Sequence, residues 1–285
     1  MPTITRPDGA TIRYEVYGSG YPLLLIAPGG VSSQVEFWQR STINPIERFA
    51  NDFQVIAMDQ RHAGQSLAPM RPFSYDTCNG DQIAVLDHLG IEKAHVMGGC
   101  IGCAHIWRLI SNAPERVSAA VAQDPVGLDE SNDIEVFYRM FHETMRLARA
   151  EGVEAVAKAA QENPMFVMNN GAGPFSPLLA ASPEAREELV HMGRERYIAL
   201  IVEFRDGIWP LNAPYFTVSE EWMRSMQTPV LVLPGRDAFH PTGVAQKICR
   251  EAPNARCLAP ECREPESLEA TVEEIRAFLK AQTPR

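Results

Sequence analysis

Val96-Met97-Gly98-Gly99-Cys100-Ile101-Gly102-Cys103 is the stretch that decides how this chain is read. An apolar strand over His95 to Met97 runs into a Gly-x-Cys-x-Gly turn, and Cys100 to Asn112 then carries a helical pattern. Glycines two before and two after the cysteine allow a tight bend and a close approach of the helix to the sheet. Cys100 is thereby presented at a helix amino end, where unpaired N–H groups and the helix dipole favour a thiolate and a developing oxyanion. The chemistry this implies is covalent acyl transfer through sulfur.

Outward from that turn, Thr11 to Tyr17 alternates like an exposed strand. Pro22 to Ala27, Val55 to Met58, Val117 to Ala122 and Val230 to Leu233 are short apolar runs of the buried kind. Helical patterns at Asn79 to Leu89 and Ser267 to Lys280 complete an alternation of strands and helices. Such alternation predicts an α/β fold with a mostly parallel sheet covered on both faces and its site at the strands' carboxyl ends. From Asp129 to about Arg224 buried strands give way to helical stretches at Ile134 to Ala150, Val153 to Gln161 and Glu184 to Val202. The expected organisation is a core of residues 1–128 and 225–285 with a helical cap inserted at 129–224. The cap carries Phe137, Met140, Phe141, Met145, Met165, Phe166, Met168, Phe204 and Trp209. Most of these are expected to pack the cap itself, with a minority lining an apolar pocket over Cys100.

With its turn, element order and insertion together, the chain resembles the α/β-hydrolase fold family over nearly its full length. Pro28-Gly29-Gly30 stands where the family forms an oxyanion hole, so the resemblance assigns the two backbone donors to Gly30 and Ile101. Asp59-Gln60-Arg61-His62-Ala63-Gly64-Gln65-Ser66 looks like the family's Asp-x-Arg-Gly-x-Gly-x-Ser turn, with His62 in place of a glycine. Leu233-Pro234-Gly235-Arg236-Asp237 resembles the segment bearing the acid of the triad, and Asp124 stands at a second place where the family carries it. The family's general base follows the last strand, here about Ala255 to Ala259. This sequence reads Leu258-Ala259-Pro260-Glu261-Cys262-Arg263-Glu264-Pro265-Glu266 there and has no histidine. In its nucleophile it is similar to the dienelactone hydrolases.

His240, in Asp237-Ala238-Phe239-His240-Pro241, is the substitute base, with Asp237 or Asp124 fixing its tautomer. Against that stands a loop histidine that merely caps the next helix. His62 and His105 are less well aimed, His142 and His191 belong to the cap, and His88 and His95 read as structural. Cys100-Ile101-Gly102-Cys103 is also a Cys-x-x-Cys, but a long sheet precedes it, unlike a thioredoxin-type redox motif, and Cys103 reads as a small packing residue. The reading that follows is a cysteine-dependent hydrolase of a small, largely apolar ester, thioester, lactone or activated carbonyl compound. A lyase, cyclase or carbon–carbon-cleaving enzyme of the same fold and a non-catalytic ligand-binding protein are the alternatives.

Composition agrees with a globular chain: 285 residues, 45% hydrophobic and 22% charged. A net charge of -10 argues against nucleic acid or an anionic membrane as partner, which leaves a small-molecule substrate. No apolar run nears the roughly 20 residues of a membrane span, and Met1 to Asp8 lacks a signal-peptide pattern, so a cytoplasmic location is expected. No cofactor or metal is expected, since no second Cys or His pair of ligand spacing follows; a homo-oligomer stays open. The six cysteines, at 78, 100, 103, 249, 257 and 262, are expected to be reduced.

Overall fold

The computed structural model describes residues 1–166 and 170–284. Met168, one of the cap residues singled out above, lies outside the described residues. Eight strands form one sheet: β1 (Thr3–Thr5), β2 (Thr11–Tyr17), β3 (Tyr21–Ile26), β4 (Phe53–Met58), β5 (Ala94–Gly99), β6 (Val117–Gln123), β7 (Val230–Leu233) and β8 (Ala255–Cys257). Their order is β1-β2-β4-β3-β5-β6-β7-β8. The β1/β2 and β2/β4 pairs are antiparallel, and every pairing from β4 through β8 is parallel.

Side chains alternate across a strand, so a strand covered on both sides must be apolar at every position. Leu24, Ile26, Ile56, Met58, Val230 and Val232 enter the core on one face. Leu23, Leu25, Val55, Ala57, Leu231 and Leu233 enter the core on the other. The first face is covered by α2 (Tyr75–His88), α3 (Ile101–Asn112) and α10 (Thr242–Glu251), the second by α1 (Pro45–Phe49) and α11 (Leu268–Gln282). Ser74, whose hydroxyl accepts from Thr77 N–H at 3.3 Å, starts α2 four residues ahead of the expected Asn79.

Between β6 and β7 the described residues form helices and no strand: α4 (Glu135–Tyr138), α5 (His142–Glu151), α6 (Val153–Glu162), α7 (Ser176–Ala181), α8 (Pro183–Ile208) and α9 (Glu220–Ser225). The single helix expected over Ile134 to Ala150 is interrupted by a 3-10 turn at Arg139–Phe141. Ser182 caps α8 by accepting from Ala185 N–H, with Pro183 at the first helical position. These helices hold an apolar cluster of their own, including Phe141, Phe166, Phe175, Leu189, Tyr197 and Phe204, and it continues onto Ile101 and Ala104 of α3. The helical layer thus sits on the amino end of α3.

One expectation fails here. Cys249 and Cys257 are joined as a disulfide, whereas Cys78, Cys100, Cys103 and Cys262 are free. The end of α10 lies against β8, which brings the two Cα atoms to 5.9 Å, inside the range a disulfide spans. Sequence spacing gave no sign of this, because helix and strand meet only through tertiary packing. No helix among the described residues is long and apolar enough to cross a membrane.

Candidate active site

Cys100 has φ 54° and ψ −119°, a left-handed backbone that is uncommon for a residue with a side chain. Its N–H donates to Gln123 O at 2.9 Å, so the end of β6 holds the turn in place. The flanking glycines serve close packing and not the bend. A methyl built on Gly98 would lie 2.7 Å from the Gly102 carbonyl carbon, and one on Gly102 would lie 2.2 Å from Ile26 O. Strain is therefore concentrated on Cys100 itself. Ile101 opens α3, and its N–H, the first of the helix, has no intrahelical acceptor. Cys103 is fully buried and donates through sulfur to Gln123 O at 3.2 Å; burial pushes its thiol pKa well up. It packs α3 against the sheet and is not bonded to Cys100.

On the other side of the turn, Gly29 and Gly30 have φ 118° and 58°. A side chain on Gly29 would strike the Phe37 ring at 2.8 Å, so the left-handed bend at this corner needs glycine. The turn at 59–66 lies behind it. Asp59 accepts from Val35 and Gln65 N–H, each at 2.9 Å, and Arg61 pairs with Asp8 and Asp81. Those contacts are structural ones.

His240 and Asp237 come together. Imidazole Nδ1 lies 2.9 Å from both carboxylate oxygens of Asp237, and Oδ1 also accepts from the backbone N–H of Phe239 at 2.8 Å and of His240 at 3.1 Å. His240 Nε2 is buried with no hydrogen-bond partner among the described residues, and the imidazole lines the same cavity as Cys100. Burial alone would lower the imidazole pKa. The electrostatic influence of Cys100 and the hydrogen bond with Asp237 outweigh it and raise the value to about 10. The hydrogen bond from His240 in turn holds Asp237 down at about 2.

Asp124 does not reach this pair. Both of its oxygens are taken by the guanidinium of Arg263, whose Nη2 also donates to Pro234 O at 2.9 Å. Of the two acids expected as alternatives, Asp237 meets the imidazole, whereas Asp124 is held bidentately by Arg263. Arg263 stands on the loop after β8, in the segment where the missing histidine was sought. That exchange was unreadable beforehand, because an arginine in a charged loop gives no signal of its own.

The other histidines are engaged elsewhere. His62 packs edge-on against Phe175 and Phe204, His105 against Tyr75, and burial lowers the pKa of each to about 3. His142 pairs with Glu135, His191 with Glu187 O and His95 with Thr283.

Cys100 and His240 share a cavity of about 180 Å³ with Gly29, Gly30, Phe37, Phe137, Met140, Trp209 and Phe239. Phe137, Met140 and Trp209 are thus the minority of the expected set that line it. Phe37 and Phe239 escaped the sequence analysis, although Phe239 immediately precedes His240 and could have been found from that adjacency.

A family model described as the alpha/beta hydrolase fold matches residues 22–157. The chain has the α/β-hydrolase fold. The matched stretch holds Gly30, Cys100, Ile101 and Asp124, whereas Asp237 and His240 lie beyond it. The RutD protein of Azorhizobium caulinodans, assigned by name to carbamate hydrolysis, is 33% identical over 158 residues, 55% of each chain. The 3-oxoadipate enol-lactonase 2 of Acinetobacter baylyi is 27% identical over 191 residues, 66% of this chain and 63% of that one. The likeness therefore spans little more than half the length of these relatives. Among solved structures, the enol-lactonase from Burkholderia xenovorans superposes with a TM-score of 0.63 at 19% identity, covering 98% of this chain and 100% of that one. The meta-cleavage product hydrolase from Pseudomonas fluorescens gives 0.62 at 18% identity, covering 99% and 98%. At such identities these superpositions carry the fold and nothing finer.

Proposed function

We propose that the protein is a hydrolase of small, largely apolar esters, thioesters, lactones or activated carbonyl compounds, working through a covalent Cys100 intermediate. The observation that carries this is the line Asp237, His240, Cys100 at the amino end of α3, with the thiol opening on an apolar cavity. Relatives named for enol-lactone and carbamate hydrolysis support hydrolase chemistry in general.

In the first half-reaction Cys100 Sγ, its proton passed to His240 Nε2, attacks the carbonyl carbon. The Gly30 and Ile101 N–H groups receive the developing oxyanion, a pair of donors each worth a few kcal/mol in comparable sites. Collapse breaks the bond to the leaving alcohol or thiol, which departs with the proton from Nε2. Water then attacks the thioester, giving a proton to Nε2 and its oxygen to the acyl carbon. The acid leaves, and the sulfur and imidazole return to their starting state. Asp237 fixes the ring so that Nε2, not Nδ1, faces the sulfur.

The test is turnover of 4-nitrophenyl esters in ¹⁸O-labelled water with intact-mass trapping of the acyl-enzyme. The expected result is one ¹⁸O in the released acid, an adduct on wild type and none on Cys100→Ala, with activity of that variant down at least about a thousandfold. Unchanged turnover in Cys100→Ala refutes the proposal.

A further inference from the structure

We propose that the acyl group this site accepts is a single, uncharged aromatic ring, of the benzoyl type; the inference rests on Cys100 being the nucleophile. Size comes first. A cavity of about 180 Å³ is slightly larger than the ~150 Å³ apolar cavity that holds one benzene molecule.

The wall decides the chemistry. Phe37, Phe137, Trp209 and Phe239 contribute four aromatic side chains, with Met140 as the flexible filler. Phe137 is locked by its neighbours: its ring centroid lies 4.6 Å from Trp209, 4.8 Å from Phe216 and 5.5 Å from Phe239. A wall fixed this way presents ring edges and faces that a planar ligand meets edge-to-face, an arrangement that flexible alkyl chains do not reproduce.

Charge is excluded for the same reason. Among the described lining residues there is no lysine, arginine, aspartate or glutamate. The guanidinium of Arg139 lies 5.7 Å from the Phe239 ring centroid, but Arg139 does not line the cavity. A carboxylate carried on the ring would be desolvated against aromatic carbon, since the charged group among the described lining residues, the His240 imidazolium, is already paired with Asp237. The hydrogen bonds left for a substrate are then those at the reacting carbonyl, from Gly30 and Ile101. Selectivity for the rest of the acyl group comes from shape and desolvation.

Two measurements test this. With wild-type enzyme, kcat/KM is compared for 4-nitrophenyl acetate, hexanoate, benzoate and 4-carboxybenzoate. Benzoate is expected to exceed acetate and hexanoate by about tenfold or more, and 4-carboxybenzoate to fall about a hundredfold below benzoate. Met140→Ala, which enlarges the cavity without touching Cys100 or His240, is expected to shift preference about tenfold toward the 2-naphthoate ester. Independently of chemistry, methyl benzoate is titrated into Cys100→Ala and followed by tryptophan fluorescence and ligand-detected NMR. Saturable binding of methyl benzoate, and none of the methyl 4-carboxybenzoate anion, supports the inference even if Cys100 proves not to be the nucleophile. Turnover led by acetate, hexanoate or 4-carboxybenzoate, or saturable binding of the methyl 4-carboxybenzoate anion, overturns it while leaving the covalent mechanism standing.

Discussion

Replacing Cys100 by serine removes the sulfur beside His240 and keeps a group of similar size, so it isolates what the sulfur does to the imidazole. Cys100 supplies the largest favourable influence on protonated His240, ahead of the hydrogen bond with Asp237. These influences must first overcome burial and then lift the pKa from 6.5 to about 10. Loss of the sulfur should therefore lower the His240 midpoint from about 10 toward its ordinary 6.5. The assay is a pH titration of ¹³C-labelled histidine by NMR, with the His240 signal assigned by its loss in His240→Gln. The sign for stability follows from a folded pKa above the unfolded one. The protonated imidazole's contribution is complete below about pH 6.5 and disappears as pH rises through about 10. The urea-measured gap between wild type and Cys100→Ser should close over that interval. A wild-type His240 that titrates near 6.5, or a midpoint unmoved by Cys100→Ser, would refute the pairing.

Two further outcomes follow from the same geometry. Arg263→Met leaves the Asp124 carboxylate without its partner and should cost about 2 kcal/mol in chemical denaturation; adding Asp124→Asn should recover much of it, and a double variant no more stable than the single one would count against the pair. Since Cys100 holds a left-handed backbone at φ 54°, Cys100→Gly should be more stable than Cys100→Ala by about 1 kcal/mol, read as a higher melting temperature. Equal melting temperatures would show that the turn carries no strain.

Much of this architecture was legible because it rests on local rules. The apolar runs at Leu23 to Ile26 and Val230 to Leu233 could only be strands buried on both faces, and Gly98 and Gly102 could only mark a close approach. The pairing of His240 with Asp237 was within reach for the same reason, since three residues separate them. What stayed hidden depended on distant contacts. Nothing near Arg263 announces that it will neutralise Asp124, 139 residues away, and nothing near Cys249 announces that β8 will bring Cys257 beside it. The role given to the glycines was right in position and incomplete in cause, because the positive φ falls on Cys100 and the glycines answer to Ile26 and α3.

Asp237 and His240 sit within one four-residue turn, and the same carboxylate oxygen that meets the imidazole also accepts the turn's own N–H groups. In the proposed mechanism acid and base are therefore a single local unit, held by the turn's own hydrogen bonds. In the family arrangement that this chain resembles, the base is delivered by the segment after the last strand, and any drift of that segment misaligns the pair. Here that segment can lengthen, shorten or change sequence with little effect on proton transfer, provided Arg263 still answers Asp124. The pair is in this sense portable: a short stretch of chain, set at the end of a parallel strand, carries its own alignment with it.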